Sequence, residues 1–286
     1  MVASTREFGL VKEEDMDMAE VKYEDIAVEL EGYIGSIEIQ RPPHNFFDVS
    51  LIQQIANALS AFDEEPDCRV VVLQSEGKSF CAGANFGSGS SEDSSNREEF
   101  TESGFRHRTG SLYEEGVRLF RSKKPIVAAI QGAAIGGGLG LSLVADFRVA
   151  APEARFAANF VKLGIHPGFG LTETLPRLIG SQKANELFFT GRRIKGEEAL
   201  EMGLVDRLVP LDKLHEESRS FAAEIAENAP LAIVSVRATT RLGLAEAVEK
   251  ATSHELKEQQ RLRGTRDAEE GIHAVAERRP GRFIGE

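Results

Sequence analysis

The stretch from Pro125 to Gly180 constrains this chain more than any other. An apolar strand, PIVAAI, runs into QGAAIGGGLGLSLVAD and then ARFAANFVKLGIHPGFGLTETLPRLIG. Three consecutive glycines, Gly136 to Gly138, stand where the strand pattern gives way to a helical one, so bare backbone N–H groups there can approach a ligand oxygen. A turn of this kind suits the stabilisation of developing negative charge. A GGG run after a strand is more often only a tight turn. The dinucleotide fingerprint GxGxxG and the full P-loop pattern GxxxxGK[ST] are both missing.

The rest of the chain alternates strands and helices. IAVELEGYIGSIEIQ alternates apolar and polar residues about Glu31-Gly32 and predicts a hairpin. LIQQIANALSAFDEE has the spacing of an amphipathic helix, and the Val run of DCRVVVLQ, Asp67 to Gln74, predicts a buried strand. A helix from about Arg97 to Ser122 leads into a strand over Ile126 to Ile130, then the glycine turn and a helix to Ala145. Strands follow at Asp146 to Ala150 and Ala154 to Ala158. This order predicts parallel β–α–β units with ligand sites at the C-terminal ends of strands. Both glycine-containing loops, Ala82 to Gly89 and Gly132 to Gly138, follow strands and can line one crevice. The Ser-rich run near 88 to 95 reads as a mobile loop. From Ser181 onward the pattern is helical, and the main boundary is expected near 195 to 210.

Composition excludes several function classes. The 286 residues carry a net charge of −12, with a pI near 5.2, which argues against nucleic acid or an anionic membrane as the main partner. Only two cysteines occur, Cys68 and Cys81, without CxxC spacing or a nearby His cluster. Neither a disulfide framework nor a zinc site is expected, and no metal is. No segment approaches the roughly 20 apolar residues that span a bilayer. Residues 1 to 20 are acidic and lack the features of a signal or transit peptide, so they are expected to form a frayed extension of a cytoplasmic protein.

RPPHNFFD, SFCAGAN, KPIVAAIQGAAIGGGLGLSLVADFRVAA, TLPRLIG, TGRRIKGEEALEMGLVDRLVP and the terminal RRPGRFIGE occur in this order. Together they resemble the crotonase, or enoyl-CoA hydratase/isomerase, superfamily from about Val21 to Glu286. The resemblance implies an α/β fold: a ββα spiral core with an acyl-CoA site over 21–200, and a helical C-terminal trimerisation region over 201–286. It also implies self-association as a trimer or as a hexamer built from two trimers. The ligand implied is an acyl-CoA thioester, with no cofactor beyond the coenzyme A that the substrate carries. Its enolate would be stabilised by two backbone N–H groups, those of Ala84 in CAGAN and of Gly137. Asn85, Phe86 and Gly87 fall where the family contacts CoA, with Asn85 replacing the usual aspartate. Phe283, with Arg279 and Arg282, would approach the CoA nucleotide of a neighbouring subunit.

Two departures limit the reaction. The two glutamates that position water in the family's hydratases align with Gly140 and Phe160, and neither residue transfers a proton. The aspartate of the family's dienoyl-CoA isomerases and dehalogenases aligns with Gly168. The remaining acid–base candidates are His166 in the loop GIHPGFG and Tyr113 or Glu114 on the preceding helix. Those last two point about 100° apart, so one at most faces a pocket. Glu173 suits a helix N-terminus and Asp146 a structural role. Three readings stand: an acyl-CoA enzyme of the hydratase/isomerase type with a relocated acid or base; a non-catalytic acyl-CoA binder; and a C–C hydrolase or decarboxylase using the same oxyanion hole.

Overall fold

The structure, a computed structural model, describes residues 22–84 and 102–286. The acidic extension, the Ser-rich run and Asn85, Phe86 and Gly87 lie outside the described residues.

The chain opens with the expected hairpin, β1 (Ile26–Glu31) and β2 (Ile34–Ile39), turning at Gly32 with φ +61°. Helix α1 (Val49–Glu64) starts at Asp48, whose carboxylate accepts the Leu51 N–H at 2.9 Å, and it buries Leu51, Ile52, Ile55, Leu59 and Phe62. Three β–β–α turns then wind into the spiral that the resemblance implies. They are β3 (Val70–Ser75), β4 (Ser79–Cys81) and α2 (Glu102–Phe120); β5 (Ile126–Ile130), β6 (Ala133–Ile135) and α3 (Gly137–Ser142); and β7 (Phe147–Ala150), β8 (Arg155–Ala157) and α4 (Leu171–Ile179). The first strand of each turn enters a six-stranded sheet of order β1-β2-β3-β5-β7-β10. The second enters a four-stranded sheet of order β4-β6-β8-β9. The remaining elements are α5 (Ser181–Thr190), β9 (Ile194–Lys195), α6 (Gly196–Met202), β10 (Arg207–Leu208), α7 (Leu214–Ala226), α8 (Pro230–Thr240), α9 (Leu244–Arg263) and α10 (Arg266–Ala276).

The strand period distributes the apolar residues between two cores. Val71, Leu73, Ile126, Ala128 and Ile130 face the main core with α1. Val70, Val72, Val127, Ala129 and Val149 face Leu214, Ala222 and Ala226 of α7. Thus β10 and α7, which follow residue 200, complete the large sheet and its outer cover, and the expected boundary divides elements that share a core.

Four differences from the sequence reading stand out. The strands β4, β6, β9 and β10 are not expected from the sequence, because two or three residues carry no detectable period. The glycine helix ends at Ser142 rather than Ala145. Strand β3 begins at Val70, three residues after the expected start. The long C-terminal helical stretch is broken into α8, α9 and α10; Gly243, at φ +76°, precedes α9, and Thr265, which caps the Ala268 N–H at 3.1 Å, precedes α10.

Asp146 ties α8 to this frame. Its carboxylate accepts the Ile126 N–H, Arg237 Nε and Arg241 Nη1, each at 2.8 Å. Cys68 and Cys81 are free and buried. Burial pushes the Cys81 thiol up to about 12, so it is inert as a nucleophile at neutral pH.

Candidate functional site

Three backbone segments converge at the head of α3. The HNFF segment lies beside the end of β4: Ala82 N–H donates to the His44 carbonyl at 3.0 Å, and Phe47 N–H donates to the Gly83 carbonyl at 3.1 Å. Asn45, fully buried at φ +50°, fixes this pairing by donating to the Glu76 and Ser79 carbonyls, each at 2.7 Å. The glycine turn then packs under Cys81 and Gly83. A Cβ on Gly138 would lie 1.9 Å from the Cys81 carbonyl oxygen, so only glycine permits this approach. A Cβ on Gly83 would stand 3.5 Å from the Gly137 nitrogen and 3.8 Å from the Gly138 nitrogen. Gly83, the residue before Ala84, is thus set against the head of α3.

Helix α3 begins at Gly137, whose N–H has no i−4 partner. The Gly136 N–H is taken by the Ala157 carbonyl at 2.8 Å. Among the described residues, neither the Ala84 nor the Gly137 N–H makes a hydrogen bond.

Aromatic rings surround the turn. The Phe47 ring lies over Gly137, where a Cβ would meet it at 2.2 Å, and it pairs with Phe169 at 5.1 Å between centroids. Phe160 is buried and has its ring tip 3.6 Å from the place of a Gly136 Cβ. Phe169 covers Gly140: a Cβ there would lie 2.9 Å from its ring and 3.2 Å from its carbonyl oxygen. Gly168 is closed in as well, since a Cβ there would stand 2.0 Å from the Tyr113 hydroxyl and 2.5 Å from Gln259 Nε2. The space that side chains at 140 and 168 would need is thus filled by Phe169 at the first and by Tyr113 and Gln259 at the second.

The acid–base candidates separate. Tyr113 is buried, and its hydroxyl donates to Gln259 Oε1 at 2.9 Å. Burial first, and then the nearby Glu255 carboxylate, hold its phenol above the ordinary tyrosine range, so it is neutral and a donor at pH 7. Glu114, the neighbouring residue on α2, is exposed to solvent and is not brought to the glycine turn. His166 is half-buried; its Nδ1 lies 2.7 Å from the Pro167 carbonyl, and its ring stands edge-on to His254 at 5.8 Å. A carbonyl only accepts, so Nδ1 carries the proton. Glu173, in the first turn of α4, pairs with Arg177 at 2.7 Å. Phe283 is 44% exposed in a tail held to its own α10: the Ile284 and Gly285 N–H groups donate to Asp267 at 2.7 and 2.8 Å, and Arg279 pairs with Glu270.

Sequence reasoning did not single out Phe47, Phe169, Glu255 or Gln259. The Glu255 carboxylate is buried and accepts Gly170 N–H at 2.8 Å, Thr172 N–H at 3.0 Å and Thr172 Oγ1 at 2.6 Å. Burial outweighs these bonds and pushes its carboxyl above the usual range. Gln259 Nε2 donates to the His166 carbonyl at 2.9 Å. Phe47 lay within a quoted motif, but nothing in the sequence marked the others. Among the described residues no cluster of His, Cys, Asp and Glu could hold a metal, and no helix is long and apolar enough to cross a membrane.

The enoyl-CoA hydratase/isomerase family model matches residues 29–286. The chain is 33% identical over 265 residues to a crotonyl-CoA hydratase of Syntrophomonas wolfei, covering 92% of this chain and 98% of that one. It is 34% identical over 252 residues to a carnitinyl-CoA dehydratase of Salmonella typhi, covering 87% and 94%. Among solved structures, an enoyl-CoA hydratase from Bacillus anthracis superposes with a TM-score of 0.70 at 34% identity, covering 92% of this chain and all of that one. An enoyl-CoA hydratase/isomerase from Pseudoalteromonas atlantica superposes with a TM-score of 0.78 at 27% identity, covering 91% and 100%. The relatives carry lyase names, and the matches run nearly end to end: the chain belongs to the enoyl-CoA hydratase/isomerase family.

Proposed function

We propose that the protein is an enzyme that binds an acyl-CoA thioester and stabilises the enolate, or a related oxyanion, between the N–H groups of Ala84 and Gly137. The observation that supports this reading is the close approach of two backbones, Gly83 against the Gly137 nitrogen and Gly138 against the Cys81 carbonyl, with the Ala84 and Gly137 N–H groups unpartnered among the described residues. Preformed donors of this kind are worth about 3 kcal/mol or more each when charge develops on the oxygen. Asn85, Phe86 and Gly87 hold the coenzyme A portion on this reading, by their place in the motif. Phe283 serves the site of a neighbouring subunit in a trimer or hexamer. The exposed apolar residues Leu231, Val236 and Leu242, on and just after α8, support such self-association.

Water addition by paired carboxylates does not fit, because Gly140 and Phe160 hold those positions and Phe169 fills the space. Of the three acid–base candidates Tyr113 is the buried one, a neutral phenol beside Gly168 whose proton is given to Gln259. The ring of Phe47, Phe160 and Phe169 also favours a second reading, carbon–carbon cleavage or decarboxylation on the same hole with water kept away.

Binding of butyryl-CoA and of S-butyl-CoA, a thioether that lacks the carbonyl oxygen, tests the proposal by calorimetry. Butyryl-CoA is expected to bind about tenfold tighter or more, the effect of two hydrogen bonds to one oxygen. Equal affinities would remove the oxyanion hole from the account.

A further inference from the structure

Helix α9 carries a buried polar face, Thr252, Glu255 and Gln259, turned toward the segment 166–172. Glu255 has no exposed surface, and all three of its partners are donors from the C-terminal end of that segment: Gly170 N–H, Thr172 N–H and Thr172 Oγ1. One turn further along α9, Gln259 donates to the His166 carbonyl at the N-terminal end and accepts from the Tyr113 hydroxyl. Val248, a further buried residue of α9, presses a methyl group on Gly170, 2.8 Å from the place of a Cβ.

Between the two fastened ends stands Phe169. Its φ of +60° is a left-handed conformation that a bulky residue keeps only where its surroundings hold it. Its ring reaches both Gly140 and Gly116, and a Cβ on Gly116 would lie 3.0 Å from it. Three donors converge on the two Glu255 oxygens, and a carboxylate accepts from all three. An amide would turn a donor toward one of them.

We propose that Glu255 and Gln259 are positioning residues that fasten the 166–172 segment at both ends, hold Phe169 against Gly140, and so make the acyl pocket selective for an apolar acyl group. The inference rests on the acyl-CoA reading given above and adds the substrate class and the residues that set it.

The variants Glu255→Gln and Gln259→Leu test this, with Lys257→Ala on the exposed side of the same helix as control. Calorimetry with butyryl-CoA, 3-hydroxybutyryl-CoA and free CoA is paired with hydrogen exchange over residues 165–173. Both variants are expected to exchange faster at Gly170 and Thr172 and to weaken butyryl-CoA about tenfold. Free CoA should stay within about twofold. The preference for butyryl- over 3-hydroxybutyryl-CoA should narrow, and the control should match the wild type throughout. Folded variants with wild-type exchange and wild-type selectivity overturn the proposal. So does an equal loss for butyryl-CoA and CoA, which is the mark of a merely structural helix. If Glu255→Gln fails to fold, Thr172→Val removes a single donor and is judged by the same outcomes. A wild-type protein that binds no acyl-CoA sinks the acyl-CoA reading and, with it, the claimed selectivity; the exchange data still decide whether the two residues fasten the segment.

Discussion

Gly138→Ala is expected to destabilise the protein by about 3 kcal/mol or more and to abolish any preference for a thioester carbonyl. The new Cβ would stand 1.9 Å from the Cys81 carbonyl oxygen and 2.7 Å from its carbon, and both are backbone atoms that cannot swing aside as a side chain would. Relief requires β4 and α3 to separate. Cys81 is three residues before Ala84, so the same separation draws the Ala84 N–H away from Gly137. Gly264→Ala is the matched control: nothing lies within 4 Å of its added Cβ, and its φ is −81°. That change should stay within about 0.5 kcal/mol. Urea unfolding midpoints, together with binding of butyryl-CoA against S-butyl-CoA, read both effects. Near-equal stability for the two alanine variants would contradict the packing described for the turn.

Asp146→Ala is expected to cost about 3–5 kcal/mol, because it leaves the Arg237 and Arg241 guanidinium groups buried without their anion and unhooks α8 from β5. The effect depends on pH in a definite direction. Burial alone would raise the Asp146 carboxyl, but the guanidinium groups of Arg237 and Arg241 outweigh it and hold the carboxyl below its ordinary value. A carboxyl depressed in the folded state contributes its full stability above the unfolded value, about 3.9, and loses it as pH falls through the lower folded value. The difference between the wild type and Asp146→Asn in urea should therefore be constant from about pH 5 to pH 8 and shrink below about pH 4. A difference that grew on acidification would contradict this assignment.

Much of this was visible in the sequence, and the reasons it was visible are physical. The Val run of β3 and the apolar run of β5 announced strands buried on both faces, and the spacing in α1 announced one buried stripe. CAGAN and the glycine triplet announced close backbone approach, because only glycine survives where Gly138 meets the Cys81 carbonyl. The second strands of the first two spiral turns stay hidden, since β4 and β6 are three residues long and pair with each other across about 50 residues of chain, whereas β8 falls within the strand expected at Ala154 to Ala158. Tyr113 and Glu114 could be separated only as alternatives, since the sequence gives the angle between them but not which side meets the core. Glu255 and Gln259 looked like ordinary polar residues of a surface helix. Burial of that face follows from how α9 folds back on α2 and on the 166–172 segment, which no local pattern records. Phe169 was adjacent to a residue already under scrutiny, yet its left-handed backbone and its place over Gly140 follow from that same packing.

The most direct measurement of the oxyanion hole is the infrared stretch of butyryl-CoA labelled with carbon-13 at the thioester carbonyl, taken as a difference spectrum between free and bound ligand. Two aligned N–H donors in a site walled by Phe47, Phe160 and Phe169 polarise that bond more than water does. The band should therefore fall to lower frequency on binding and return toward the free value in any folded Gly138→Ala protein that still binds the ligand. A bound band at or above the free frequency would contradict the account.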